Sequence, residues 1–437
     1  METPIYDFLK KYSSSGTLRC HMPGHKGIGG ELPYDLDITE ITGADSLFEA
    51  DGIILRAEKN TSHLYGTAAS FFSAGGSTLC IQAMLAAMKF QGRTVVAVRN
   101  VHRAFLNAAA LLDLDVRWIL PDYTDGILSG RISLEDTEKA LASVNKPCLY
   151  VTSPDYTGRL ADIPALAEIC RRYGAPLLVD NAHGAHLRFF PESLHPISLG
   201  ADICCDSAHK MLPALTGAAF LHTSRAEYGA VLRQCMSLFA STSPSYLIMC
   251  SLDLCNKYLA EKISVDIGSG LERLKKLRGR FSDRLFFAES EPFHITVRAA
   301  ESGYDGNELA ALLRKNGVEC EYSDCGTVIL LMSPVNTGED FRRLGGALEK
   351  SLDEAEKHPR TLIRTAFVLP ERAMSVREAV FSPSEEIPVD EAEGRICGAV
   401  KVPCPPAVPI AASGEIIDRS CINIFKTYGI SSVIVVK

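Results

Sequence analysis

No stretch of this chain is apolar for long enough to cross a membrane, and its start, Met1-Glu2-Thr3-Pro4-Ile5-Tyr6-Asp7, has no basic segment leading into an apolar one. Neither a membrane anchor nor a secretory leader is expected. Basic tracts and aromatic-basic interleaving are also missing, and 45 Lys and Arg against 53 Asp and Glu leave a net charge of −8. That balance excludes the usual electrostatic footprint of a nucleic-acid binder and points to a small-molecule partner. No two of the 14 cysteines stand at C-x-x-C spacing, and Cys148, Cys170, Cys204 and Cys205 lie inside apolar runs. This usage fits buried free thiols in a reducing, cytoplasmic compartment rather than a disulfide framework or a zinc site; no metal is expected. Internal repeats and low-complexity linkers are absent as well.

What is present is the balance of a globular protein, 46% apolar and 22% charged over 437 residues. The length predicts two domains with a sizeable core. Residues 1–50 are rich in Gly, Pro and His around His21-Met22-Pro23-Gly24-His25-Lys26-Gly27 and predict an extended arm. From there to residue 285, short apolar runs alternate with helical stretches. The strands are expected at 95–98, 116–120, 149–152, 176–179 and 203–205. Helices are expected at 79–90, at 133–144 behind the cap Ser133, and at 164–173 behind Asp162. The alternation predicts an α/β domain with a mostly parallel sheet over 51–285. Helices at 241–262 and 268–285 close it, and a smaller α+β domain is expected over 286–437.

The strand ends carry the chemistry. Arg99-Asn100-Val101-His102, Thr152-Ser153-Pro154, Asp180-Asn181-Ala182-His183 and Asp206-Ser207-Ala208-His209-Lys210 each follow an apolar run, and ligands of open α/β sheets bind at that edge. Lys210 stands among apolar neighbours, where an amine is expected to lose part of the stabilisation of its charged form and to act as a Schiff-base nucleophile. Asp180 ends a fully apolar run, where an ionised carboxylate needs a buried cation, such as a protonated pyridine nitrogen. Gly75-Gly76-Ser77-Thr78 precedes a helix and suits a phosphate. An aldehyde-accepting lysine, a pyridinium-pairing aspartate, a phosphate loop and the stackable His102 together describe a pyridoxal phosphate site.

These residues, in this order, resemble the ornithine/lysine/arginine decarboxylase family in its compact form, which lacks an N-terminal wing domain. The resemblance covers nearly the whole chain. It adds Asp45-Ser46-Leu47, Ser241-Thr242-Ser243-Pro244-Ser245-Tyr246, Gly394-Arg395-Ile396, Pro405-Pro406-Ala407-Val408-Pro409 and Gly414-Glu415 to the motifs above. It implies an aspartate aminotransferase-like (fold type I) large domain with a smaller C-terminal α+β domain.

The resemblance implies that Lys210 forms the Schiff base, Asp180 pairs with the ring nitrogen and His102 stacks on the ring. Gly76, Ser77, Thr78, Ser207 and His209 hold the phosphate, with Ala182, His183 and Ser153 beside the cofactor. Thr242 reaches the phosphate of a neighbouring subunit, which implies a homodimer or a higher oligomer with shared sites. Lys210 or His209 reprotonates Cα. The chain departs from the family at Arg103-Ala104, at Asp155 and at Ala208.

The expected reaction is decarboxylation of arginine, lysine or ornithine to the amine. The segment Asp45-Ser46-Leu47-Phe48-Glu49 is expected to meet the cationic tail of the substrate. The alternatives are aminotransfer, with Arg298 on the substrate carboxylate, aldol cleavage, or a non-catalytic binding protein of the same fold.

Overall fold

The structure, a computed structural model, describes residues 1–29, 31–360, 367–399 and 409–437. Within them the chain forms two compact units, residues 1–91 with 176–267, and residues 92–175 with 268–437. The family match at Pro405-Pro406-Ala407-Val408 lies outside the described residues. Among those residues, no helix is long and apolar enough to cross a membrane, and the cysteines are free thiols, most of them buried.

In the first unit, strand 177–180 pairs in parallel with 203–206, which pairs antiparallel with 219–223, and that strand pairs antiparallel with 69–73. Leu177-Leu178-Val179 and Ile203-Cys204-Cys205 are fully buried, as expected of α/β strands covered on both faces. The helix Gly76–Phe90 follows strand 69–73 and is apolar nearly all round, with Leu79 to Met88 almost wholly buried. The polar segment Ser241-Thr242-Ser243-Pro244, expected to open a helix, stays outside it. Ser245 is the cap, and the helix runs over Tyr246–Glu261.

The arm is not fully extended. Pro4–Ser13 is a helix with Pro at its start, and Asp253 caps it from 248 positions away, its Oδ2 accepting the N–H groups of Ile5 and Tyr6 at 2.9 and 3.1 Å. Burial drives the Asp253 carboxyl up to about 7, against the downward pull of those two N–H groups. A folded-state value above the unfolded one means that folding holds a proton the unfolded chain releases. Stability therefore falls as pH rises from about 4 to about 7 and is level above that. Asp253→Asn is expected to remove this slope and to raise stability at pH 8 by up to about 3 kcal/mol. Melting curves at pH 5 and pH 8 check it; equal slopes in variant and parent would refute it.

In the second unit, strand 94–98 pairs in parallel with 116–119 on one side and 147–152 on the other. Helix Leu134–Ala142 is capped by Ser133, whose Oγ accepts from Asp136 N, and helix Ile163–Arg172 by Asp162. Two antiparallel three-stranded sheets follow, 294–298, 327–331 and 322–323, then 384–388, 432–436 and 397–399. Around the last of these, Ile410, Ile417, Ile422, Phe425 and Val435 form a separate apolar core.

Candidate active site

In the first unit, three chain segments meet at the carboxyl ends of strands 177–180 and 203–206. The turn after Asp180 is closed by a hydrogen bond from Gly184 N to Asn181 O at 2.8 Å. Asp180 is buried, and its Oδ1 accepts from Ala182 N at 3.2 Å and from the Cys205 thiol at 3.6 Å. His183, also buried, brings Nε2 to 2.9 Å from Lys210 Nζ. Lys210 itself is exposed, unlike the buried residues Ile203 to Ala208 that precede it. The expectation of a lysine enclosed by apolar neighbours is thus corrected. The strand is apolar, but Lys210 lies on the one-turn helix Ala208–Met211 beyond its end, where the side chain leaves the core and meets an imidazole.

Ser207 Oγ donates to Ser77 Oγ at 2.8 Å, which joins the lysine segment to the Gly-Gly-Ser-Thr loop. Gly76 opens its helix at φ +68°, its N–H on Gly217 O at 2.8 Å, and a Cβ there would meet open space. The small residues thus leave room above the N-terminus of a 15-residue helix, which fits a phosphate. His209 is half-buried, its Nδ1 on Ala218 O at 2.9 Å. Thr78 faces a cavity of about 230 Å³ shared with Leu47, Phe48, Ser241 and Ser243; Thr242 is exposed beside it. A buried carboxylate, an amine paired with an imidazole and a helix N-terminus, joined through the Lys210–His183 and Ser207–Ser77 contacts, suit pyridoxal phosphate.

His102 and Ser153 belong to the second unit. His102 caps helix Arg103–Leu112, accepting from Ala104 N at 3.0 Å through Nδ1, which places its proton on Nε2. Ser153 Oγ accepts from Ala161 N at 3.0 Å. Asp155 is buried and accepts from Ser129, Thr157 and Arg159. Burial raises its carboxyl against those bonds. Arg298, the candidate for aminotransfer, lies 3.4 Å from Glu301.

Asp45, expected to meet the cationic tail of the substrate, is engaged locally. At φ +71° its carboxylate takes the backbone N–H groups of Ser46, Asp51, Gly52, Ile54 and Leu55, a local cap over helix Ile53–Tyr65. Burial pushes the Asp45 carboxyl up, but these bonds outweigh it and hold it low. Glu49, by contrast, is exposed, with Ser46 Oγ on its Oε2 at 2.6 Å. In the His21 to Gly27 turn, His21 Nε2 meets Tyr12 OH at 2.6 Å and His25 meets Asp37 at 3.2 Å, so the turn is folded on itself.

Two groups near the site, His195 and His222, had no signal in the sequence. Asp206 sits with His195 and His222, all buried, and a hydrogen bond from Asn181 Nδ2 reaches Asp206 Oδ1 at 2.7 Å. His195 and His222 stand outside every motif, and only the folded chain brings them together.

Family models agree with this architecture. Residues 3–298 match the Orn/Lys/Arg decarboxylase major domain, and residues 360–429 match the C-terminal domain of the same family. An arginine decarboxylase of Bacillus subtilis is 31% identical, over 97% of this chain and 93% of its own length. Another, from Halalkalibacterium halodurans, is 28% identical over 96% and 92%. The crystal structure of a Francisella novicida lysine decarboxylase superposes with a TM-score of 0.81 at 17% identity, over 99% of this chain and 79% of that one, and shares the fold. The chain belongs to the ornithine/lysine/arginine decarboxylase family and is a pyridoxal phosphate-dependent decarboxylase of basic amino acids.

Proposed function

We propose that this enzyme releases the α-carboxylate of arginine as carbon dioxide, leaving agmatine, at a site built on Lys210. The 2.9 Å contact between Lys210 Nζ and His183 Nε2 carries the reading. It sets an amine nucleophile beside a group able to hold its proton, on the turn that begins with Asp180. Bound there, pyridoxal phosphate supplies the electron sink for the pair left on Cα when carbon dioxide departs.

The chain's own residues do the rest. Asp180 would pair with the ring nitrogen and favour its protonated form through charge. Gly76, Ser77, Thr78, Ser207 and His209 would hold the phosphate, and Ala182 and His183 would stand beside the ring; His102, by stacking, and Ser153 are what the family resemblance adds. Lys210 or His209 returns a proton to Cα. Thr242, exposed on this chain, serves the phosphate of a second copy, so the working form is a homodimer or a larger oligomer, in the cytoplasm. By chain order we read an arm over 1–50, a cofactor-binding domain over 51–285 and a small domain over 286–437, boundaries that differ from those of the two compact units.

The names of the relatives from Bacillus subtilis and Halalkalibacterium halodurans support arginine over lysine and ornithine. Purified protein loaded with cofactor is expected to yield agmatine from arginine with a kcat/KM about tenfold or more above that for the other two, a discrimination of about 1.4 kcal/mol. Preference for lysine or ornithine would overturn the substrate. No carbon dioxide from any of the three, with the cofactor still bound, would overturn the reaction.

A further inference from the structure

Beneath the turn that carries Asp180 and His183 lies a buried polar cluster to which the chemistry above gives no part. Asp206 ends strand 203–206 and is wholly buried. Its Oδ2 lies 3.0 Å from His195 Nε2 and 3.4 Å from His222 Nε2, both on buried imidazoles. Facing a carboxylate, which only accepts, each of those nitrogens carries a proton. His222 then accepts through Nδ1 from Ser70 Oγ at 2.8 Å, and the Tyr65 ring stacks on it at 4.4 Å between centroids. Burial alone would push the Asp206 carboxyl up, but the imidazoles of His195 and His222 that face it outweigh this and hold the group far below the usual carboxylate range. The carboxylate at 206 is therefore an anion in the core, and its partners fix its orientation.

What this anion grips is Asn181, the residue between Asp180 and Ala182-His183. Asp206 Oδ1 takes Asn181 Nδ2 at 2.7 Å. Because a carboxylate has no proton to give, it selects one of the two amide orientations and turns Asn181 Oδ1 away. There is no slack on the far side, since a Cβ at Gly184 would stand 2.0 Å from that oxygen. The backbone of Asn181 is tied to the same strand, its N–H on Cys205 O at 2.9 Å. One side-chain bond thus joins the strand that leads to Lys210 with the turn that presents Asp180 and His183.

We infer that Asp206 is a positioning residue, whose carboxylate, fixed by His195 and His222, holds the Asn181 amide and thereby sets where Asp180 and His183 stand relative to Lys210. The inference rests on the assignment of Lys210 and Asp180 to the cofactor site. A supporting residue of this kind acts on the geometry of the groups it holds, so its loss changes cofactor binding and the chemical step more than substrate affinity.

Asp206→Asn keeps the shape but abolishes the acceptor-only character, and Asn181→Ala removes the gripped amide while leaving the Asp206–histidine contacts intact. In both variants the cofactor dissociation constant is expected to rise about tenfold and kcat to fall about tenfold or more, with KM within about threefold of the parent. The visible absorption of the bound cofactor is expected to shift its pH midpoint. The double variant is expected to be no worse than the worse single one, because the two changes break one interaction. If Asp206→Asn does not fold, Asn181→Ala decides. Either variant with parental cofactor affinity, spectrum and kcat, or with a lowered melting temperature as its sole change, would overturn the inference. Lys210→Ala, run alongside, tests the underlying assignment separately: if it keeps turnover, that assignment fails whatever the Asp206 and Asn181 variants show.

Discussion

Lys210→Ala is expected to lower carbon dioxide release by about four orders of magnitude or more and to abolish the yellow absorption of the linked cofactor. The protein should stay folded. Lys210 is exposed, so its truncation leaves no cavity, and its Nζ–His183 contact lies at the edge of the core. A change in stability of about 0.5 kcal/mol either way is expected. Absorbance, turnover and a melting curve on one preparation are sufficient. Loss of activity together with loss of folding would leave Lys210→Arg, which keeps a cation of similar reach without a nucleophilic amine, to decide; turnover within tenfold of the parent in either variant would remove Lys210 from the chemistry. His183 should respond differently. In the proposed role it holds a proton and orients the amine, so its loss is expected to weaken the step without removing the covalent link.

Glu415→Ala is expected to destabilise the second unit by about 3–5 kcal/mol, the usual cost of leaving a buried charge without its partner. Arg99 is 0% exposed, and its Nη2 donates to Glu415 Oε2 at 2.6 Å. The same carboxylate oxygen accepts from Ala412 N at 2.7 Å, and the guanidinium lies 4.9 Å from the ring of Trp118. Among the described residues, Arg99 Nε and Nη1 have no hydrogen-bond partner and Nη2 has beside Glu415 only Ile410 O at 3.4 Å, so the cation depends heavily on this carboxylate. Trp118 is the only tryptophan in the chain, which makes its fluorescence a local reporter of this contact. Urea unfolding followed at Trp118 should move to markedly lower midpoint in Glu415→Ala. Arg99→Met with Glu415→Leu should recover most of the loss, because it removes both charges and fills the space. A single variant within about 1 kcal/mol of the parent would refute the prediction.

The elements that could be read from the sequence are those whose residues contain their own reason to form. Val95 to Val98, Leu177 to Val179 and Ile203 to Cys205 are continuous apolar runs followed by polar residues, and each is a strand. Ser133 and Asp162 name the starts of their helices because a cap acts within three residues. Strands 69–73 and 219–223 were not legible. Ala69-Ser70-Phe71-Phe72-Ser73 and Ala219-Phe220-Leu221-His222-Thr223 interrupt their apolar residues with polar ones, and their polar side chains are buried because partners from elsewhere receive them, as His222 receives Ser70. The Pro4–Ser13 helix was missed for a similar reason, since its cap is Asp253, far along the chain.

The sequence by itself determined the class of chemistry. Lys210, Asp180, His102 and the Gly-Ser-Thr loop stand in a fixed order at strand ends, and side-chain type together with position on a strand is a local property. Only the tertiary structure decided how those groups are held. Lys210 emerges from the core instead of being enclosed by it, Asp45 takes five backbone N–H groups, and Asp206 is held as an anion because His195 and His222 reach it from separate elements. The physical reason is common to all three. The charge state and direction of a polar side chain depend on the burial and partners it finds at a distance, and those are properties of the folded chain.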